Sequence, residues 1–154
     1  SAETYKVAVM DQQMVIEQSK AGKRAVEELK GYSMARQKIV NADEQELKEL
    51  QEAIQDGKLT DSAKQEKRTQ LQAKAEAYQR RVADFRREVQ QKQREMVIEY
   101  SKKIQLAAQA VGEKTGYDAI IDKGIESAVK IVIYHQPELD LTGQVVKEFD
   151  RQNK

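Results

Sequence analysis

The sequence predicts an α+β fold, in which a long antiparallel helical hairpin (a coiled-coil arm) projects from a small β-body. Helical periodicity runs from residue 21 to residue 114, with one strong break at Asp56-Gly57-Lys58-Leu59-Thr60. Short stretches rich in β-branched residues occur only near the two chain ends. Charged residues make up 34% of the chain, against roughly 25% in typical globular domains. This excess indicates long helices with one narrow apolar stripe, which we call the seam.

The second half of the hairpin carries the clearest seam, because its apolar residues alternate strictly at spacings of four and three. The first half shows the same spacings with a shift between residues 36 and 43. Two such seams joined by a short turn are predicted to pack antiparallel. At the turn, Gly57 suits a left-handed position and Thr60 can cap the following helix. The seam of the second half comprises Leu71, Ala75, Tyr78, Val82, Phe85 and Val89.

The chain ends predict three short strands, at residues 5–10, 119–122 and 129–134. Asp11 and Asp140 are predicted to cap short helices, and Gly116 to end the long one. Residues 1–20 with 115–154 should form the β-body and oligomerisation domain, and residues 21–114 the arm with its tip at 56–61. So few strands rarely stand alone, so an oligomer should pool them and cover their edges. The predicted interface residues are Val7, Val9, Ile120, Ile121, Ile131, Val132, Ile133 and Tyr134.

No catalytic, cofactor-binding or metal-ligating residues are predicted, so the chain is not expected to be an enzyme. It has no cysteine, which excludes disulfides and thiolate zinc sites. The single histidine, His135, has no nucleophile motif around it. Residues 112–116 lack the spacing of a phosphate loop. No apolar run approaches the ~20 residues of a membrane span, so stable membrane insertion is not expected.

The charge distribution points to a protein partner rather than to nucleic acid. Net charge is only +1, yet residues 20–40 and 71–105 are basic while residues 41–70 are net acidic. Aromatic residues do not interleave with the arginines as stacking platforms for single strands would. The arginine pairs allow two interpretations: salt links to the other helix of the hairpin, or a basic wall for an acidic partner. These residues are Arg80, Arg81, Arg86 and Arg87.

The chain resembles the Skp family, the OmpH-like periplasmic chaperones, over nearly its whole length. The specific markers lie at the strand-bearing ends rather than in the helices. They are residues 6–11 (KVAVMD), 17–23 (EQSKAGK), 116–122 (GYDAIID), 133–134 (IY) and 137–142 (PELDLT).

The resemblance implies a homotrimer whose β-body combines strands of three chains and whose arms enclose a cavity. It also implies ATP-independent holding of unfolded outer-membrane β-barrel proteins, called clients below, in the periplasm after removal of a signal peptide. On this reading Met34, which lies off the seam, and the four arginines contact clients, and Gly22 and Gly112 are hinge candidates. Lipopolysaccharide binding, proposed for some members with basic tips, is not extended to this acidic tip.

Two alternatives stay open at this stage. A structural tether would use the coiled coil as a spacer or adaptor and would bind specific partners at the tip. A prefoldin-like holdase also carries helical arms on a β-body, but there the strands lie between the helices, whereas here they lie at the chain ends.

Overall fold

The computed structural model describes residues 2–124 and 129–154 and confirms the α+β class with two long helices. Both predicted helical segments are continuous, and the strands lie at the chain ends. In chain order the elements are β1 (Val7–Met10), α1 (Gln12–Gln18), α2 (Lys20–Ile54), α3 (Asp61–Thr115), β2 (Ala119–Asp122), a 3-10 turn (Pro137–Leu139) and α4 (Thr142–Gln152).

The chain divides into two compact units. Unit 1 comprises Ser1–Glu28 and Arg94–Lys154, and unit 2 comprises Leu29–Gln93. Both divisions fall inside α2 and α3, whereas the sequence analysis placed its boundaries at the helix ends.

Unit 2 is an antiparallel two-helix hairpin, as predicted. The Tyr32 hydroxyl donates to Glu88 at 2.6 Å, and the Tyr78 hydroxyl donates to Glu44 at 2.6 Å. As residue numbers rise along α2 from 32 to 44, their partners on α3 fall from 88 to 78. The pairing therefore runs in opposite directions, with half-buried seam residues of both helices between them.

The turn of unit 2 is closed by side-chain and backbone hydrogen bonds without a left-handed glycine. The Lys58 N–H donates to Asp56 Oδ1 at 3.0 Å, an Asx turn that mimics a backbone turn. The Ala63 N–H donates to Thr60 Oγ1 at 3.1 Å, so Thr60 caps α3 as predicted. Among the described glycines only Gly116 and Gly124 have positive φ, so the left-handed prediction for Gly57 is wrong. The Leu59 N–H also donates to the Asp56 carbonyl oxygen at 3.3 Å, so backbone and side chain of Asp56 together close the turn without a left-handed residue.

Unit 1 contains a two-stranded parallel sheet. β1 pairs with β2 in a register that aligns Val7 with Ala119 and Met10 with Asp122. The third predicted strand is wrong for the single chain, since residues 129–134 form neither helix nor strand. A strand needs a hydrogen-bonding neighbour, and in the part of the chain that the structure describes the sheet consists of β1 and β2 alone.

The core of unit 1 combines both chain ends with the last turns of α3. Phe149 and Val145 of α4 are fully buried, and the Phe149 ring stacks on Tyr100 at a centroid distance of 5.8 Å. The Tyr100 hydroxyl donates to the Ala21 carbonyl at 3.0 Å. The other buried members of this cluster are Ala8, Met10, Val15, Ile16, Ala21, Ile104, Ala107, Val111 and Leu141.

Three aspartates fix the helices of unit 1. Asp11 caps α1 by accepting from the Met14 N–H at 3.2 Å, as predicted. Asp150 accepts from the Lys20 N–H at 2.8 Å, at the first turn of α2. The N-cap residue of α4 is Leu141 and not Asp140 as predicted, but Asp140 accepts from the Thr142 N–H at 3.0 Å and pairs with Lys123 at 2.9 Å.

The pKa of Asp140 lies below its ordinary value. Partial burial is the largest single influence and raises it, but it is outweighed by hydrogen bonds from Thr142 and Lys123 that favour the carboxylate. The folded protein therefore stabilises the charged carboxylate of Asp140 over its protonated form.

Candidate functional site

The arginines on α3 separate into two kinds by their partners. Arg81 Nη1 lies 2.9 Å from both carboxylate oxygens of Asp43 on α2, and Arg87 pairs with Asp84 of its own helix. Arg80 and Arg86 are exposed and have no hydrogen-bond or ion-pair partner within residues 2–124 and 129–154. The salt-link interpretation thus describes Arg81, whereas Arg80 and Arg86 keep all their donors for a partner.

A cluster of aromatic and charged side chains replaces the apolar seam near residue 36. The Arg36 guanidinium lies 3.8 Å from the centre of the Tyr32 ring and 5.6 Å from that of Phe85. Lys92 Nζ lies 4.7 Å from the Tyr32 ring centre. The hydrogen bond to Glu88 raises the pKa of the Tyr32 hydroxyl, and desolvation adds to this rise. The Arg36–Phe85 and Lys92–Tyr32 contacts are cation–π pairs that join the two helices, whereas the Arg36–Tyr32 contact lies within α2.

Arg36 is the least satisfied member of this cluster. Its Nε is buried and has no hydrogen-bond partner in the described structure. The Glu88 Oε2 atom is 3.8 Å from that Nε, an ion-pair distance but too long for a hydrogen bond. Sequence reasoning missed this residue, although the shift of seam spacing that begins at residue 36 was a signal of it.

A groove opens along the side of the hairpin next to Arg36. It has a volume of about 290 Å³ and combines an apolar floor with polar and cationic side chains. We call it the hairpin groove. Its residues are Ser33, Arg36, Gln37, Val40, Val82, Phe85, Arg86, Val89 and Gln90.

Isolated apolar side chains also lie on the surface of the hairpin. Met34 is 55% exposed and lies off the seam, as its position in the sequence indicated. Ile39 of α2 is 40% exposed. Single exposed apolar residues are common on proteins, so each offers a weak contact rather than a pocket.

The predicted interface residues of unit 1 differ widely in exposure. Val9 is buried within its own chain, and Ile120 and Val132 are half-buried, whereas Val7 and Ile121 are exposed. The most exposed side chains belong to residues 129–134. Val129 was part of the predicted strand there but not of the predicted interface. Within that segment Val129 is 95% exposed, Ile131 78%, Ile133 89% and Tyr134 78%.

Both hinge candidates lie inside continuous helices and are buried. A Cβ on Gly22 would lie 1.9 Å from the Ile16 carbonyl oxygen, because α1 and α2 meet there. A Cβ on Gly112 would lie 3.4 Å from Ile120 Cδ1, an ordinary van der Waals contact. Close packing of the backbone is therefore a sufficient reason for glycine at residue 22.

His135 and the acidic side chains are the residues that could mark a catalytic or metal site. His135 Nδ1 lies 2.9 Å from the Gln136 carbonyl oxygen, a local contact within a loop. Within residues 2–124 and 129–154, no group of three or more histidine, aspartate or glutamate side chains could hold a metal ion. Over the same ranges, no helix combines the length and apolar character needed to cross a bilayer.

Comparisons with known proteins agree with this architecture. The sequence profile of the family described as Outer membrane protein (OmpH-like) matches residues 6–149. The structure superposes with a TM-score of 0.82 on the crystal structure of a candidate outer membrane chaperone (OmpH-like) from Caulobacter crescentus. The two are 19% identical, and the alignment covers 99% of this chain and 88% of the other. No curated protein sequence matches this chain significantly.

Proposed function

Because the chain belongs to the OmpH-like outer membrane protein family, we propose that it is an ATP-independent holdase chaperone of the periplasm. It binds unfolded outer-membrane β-barrel proteins between the hairpins of a homotrimer and prevents their aggregation. The observation that carries the proposal is the hairpin of unit 2, whose helices bond to each other while Met34, Ile39, Arg80 and Arg86 remain open to solvent.

The exposed segment 129–134 supports an assembly of several copies. Four large apolar side chains there are at least 78% exposed, and in the described structure β2 has β1 as its only neighbouring strand. Burial of one such side chain contributes roughly 1.5–3 kcal/mol, and strand pairing would satisfy the free edge of β2. Further copies of the same chain offer both in a closed, symmetric arrangement.

Client binding rests on many weak contacts rather than on one pocket. Unpaired arginines attract acidic segments and speed capture, while scattered apolar side chains contact exposed client residues. Three hairpins in one assembly raise the effective concentration of these contacts, so that their sum is much tighter than any one of them. Such binding needs no nucleotide.

The decisive experiment combines assembly mass with client protection. Light scattering should give the mass of three chains, and the trimer should keep a urea-denatured outer-membrane barrel protein soluble after dilution without ATP. An Ile131→Asp, Ile133→Asp double variant places charge in the proposed interface, and Leu106→Asp is a matched control at another exposed apolar position. The double variant should dissociate and lose protection, whereas the control should keep both.

Two results would overturn the proposal. One is a wild-type protein that is monomeric at micromolar concentration and still protects the client, which would show that trimer formation is not required for protection. The other is a trimer that leaves the client to aggregate, which would favour a tether that joins folded partners.

A further inference from the structure

The hairpin groove has the features of a specific subsite on a surface otherwise suited to weak contacts. We propose that it binds an apolar side chain of an unfolded client together with a neighbouring carboxylate, so that acidic apolar segments are its ligands. This inference rests on the proposed holdase function and names the client chemistry that the groove selects.

The floor of the groove is the exposed flank of the seam. Val40 of α2 and Val82, Phe85 and Val89 of α3 are only half-buried, so the hairpin leaves part of their surface open. The volume of about 290 Å³ lies just below the roughly 300–1,000 Å³ of pockets for drug-sized ligands. The groove is thus large enough for one client side chain and too small for a folded element.

The charge beside this floor is positive. Arg86 is exposed and has no hydrogen-bond or ion-pair partner within the described ranges. Arg36 is held by the rings of Tyr32 and Phe85, and its side chain lines the groove and is 34% exposed. A guanidinium has five donors and no acceptor, so a carboxylate is the group that both arginines can bind.

The carboxylate that pairs with Arg36, that of Glu88, does not cancel this preference. Glu88 accepts the Tyr32 hydroxyl at 2.6 Å and lies 3.8 Å from Arg36 Nε. Lys92, over the Tyr32 ring, adds a further cation. The amides and hydroxyl of Gln37, Gln90 and Ser33 complete the lining, so the local charge favours acidic over basic segments.

Site-directed crosslinking tests where the client lies. Because the chain has no cysteine, Ser33→Cys carries a photo-crosslinker at the groove alone, and Ser62→Cys is a matched exposed control on the same hairpin. Each labelled protein is illuminated with three unstructured peptides in separate samples. The first peptide is rich in leucine and aspartate, the second in leucine and lysine, and the third in serine and aspartate.

We expect the leucine–aspartate peptide to crosslink at residue 33 several times more than either other peptide, and residue 62 to show no such preference. Equal yields for all three peptides at residue 33, or the same preference at residue 62, would overturn the proposal.

Binding of the full protein to the same labelled peptides tests the charge. Arg86→Gln should weaken the leucine–aspartate peptide roughly two- to fivefold, the range for one exposed ion pair, and leave the leucine–lysine peptide unweakened. Arg80→Gln removes an equally unpaired arginine outside the groove lining and should change binding less than Arg86→Gln. If both variants weaken binding equally, the effect is general electrostatics and the groove is not a site.

The failure of this inference can be told from the failure of the holdase function. If the wild type protects a denatured barrel protein but shows no peptide preference at residue 33, only the subsite is wrong. If it fails to protect any client, the proposed function is wrong as well.

Discussion

Gly22 provides a sharp test, because local helix propensity and tertiary structure predict opposite signs for Gly22→Ala. Alanine is about 1 kcal/mol more favourable than glycine inside a helix, and Gly22 lies in the first turn of α2. On propensity alone the substitution should stabilise the protein. The structure places the new Cβ 1.9 Å from the Ile16 carbonyl oxygen and 2.7 Å from its carbon.

The magnitude follows from how far the backbone must move. A carbon–oxygen contact of this kind is normally at least ~3.3 Å, so α1 and α2 must separate by about 1.4 Å at this point. Overpacking of a core costs typically 1–3 kcal/mol. The same Cβ lies 2.7 Å from Ser19 Oγ, which caps the Gly22 N–H at 3.1 Å, and a lost cap costs about 1 kcal/mol more. After the gain in propensity, the net loss should be about 1–3 kcal/mol.

Gly31→Ala is the matched control in the same helix, because a Cβ there would meet no other part of the described chain within 4 Å, its own helix turn aside. It should stabilise the protein by about 0.5–1 kcal/mol. Urea unfolding followed by circular dichroism at 222 nm, at one fixed protein concentration, measures both variants. A Gly22→Ala protein as stable as the wild type would refute the packing argument, and a destabilised Gly31→Ala would show that the comparison does not isolate it.

Three further predictions concern charges. In a double-mutant cycle, Arg81→Ala and Asp43→Ala should couple by about 0.2–1 kcal/mol in urea unfolding, the range for an exposed pair, whereas Arg80→Ala should show no coupling to Asp43. Asp140→Asn should be less stable than the wild type by about 1–2 kcal/mol above pH 5. In thermal melts this difference should shrink as pH falls through 3.8, the ordinary pKa of the carboxyl, toward the lower pKa of the folded state. A pH-independent difference would mean that the charge of Asp140 is not involved. Client protection should weaken when salt rises from about 0.05 to 0.5 M, because exposed charges are screened, and a salt-independent effect would count against capture by Arg80 and Arg86.

The helices could be predicted because their signals are local. The spacing of apolar residues fixes which face of each helix is buried, whatever the rest of the fold does. Caps are equally local, since Asp11 and Thr60 bond to N–H groups three residues ahead. Gly116 also ends α3 in the left-handed conformation with φ of 79°, as its position indicated.

Features that depend on contacts distant in sequence were not visible in the same way. The sequence at Gly22 suggested a hinge, and only the approach of the Ile16 carbonyl shows why a side chain does not fit there. Arg36 was overlooked because the role of a charged residue in a seam can be recognised only when its neighbours in space are known. Its aromatic contacts come from Tyr32 on its own helix and Phe85 on the other, so the site is a product of the hairpin register.

The segment 129–134 shows the limit most clearly, because its sequence specifies a strand that one chain does not provide with a partner. Valine and isoleucine dominate residues 129–134, as in a strand, yet these residues form no strand and leave Ile131 and Ile133 exposed. β-propensity measures how well a side chain fits a pleated, half-buried surface, so it has no effect until that surface exists. An apolar, strand-forming segment is unusual in a chain with 34% charged residues. We infer that another chain provides the surface against which it packs. In the proposed trimer, neighbouring copies would provide this surface. The two helices of the hairpin, by contrast, are each other's partners within one chain, so the sequence of that chain was enough to predict them.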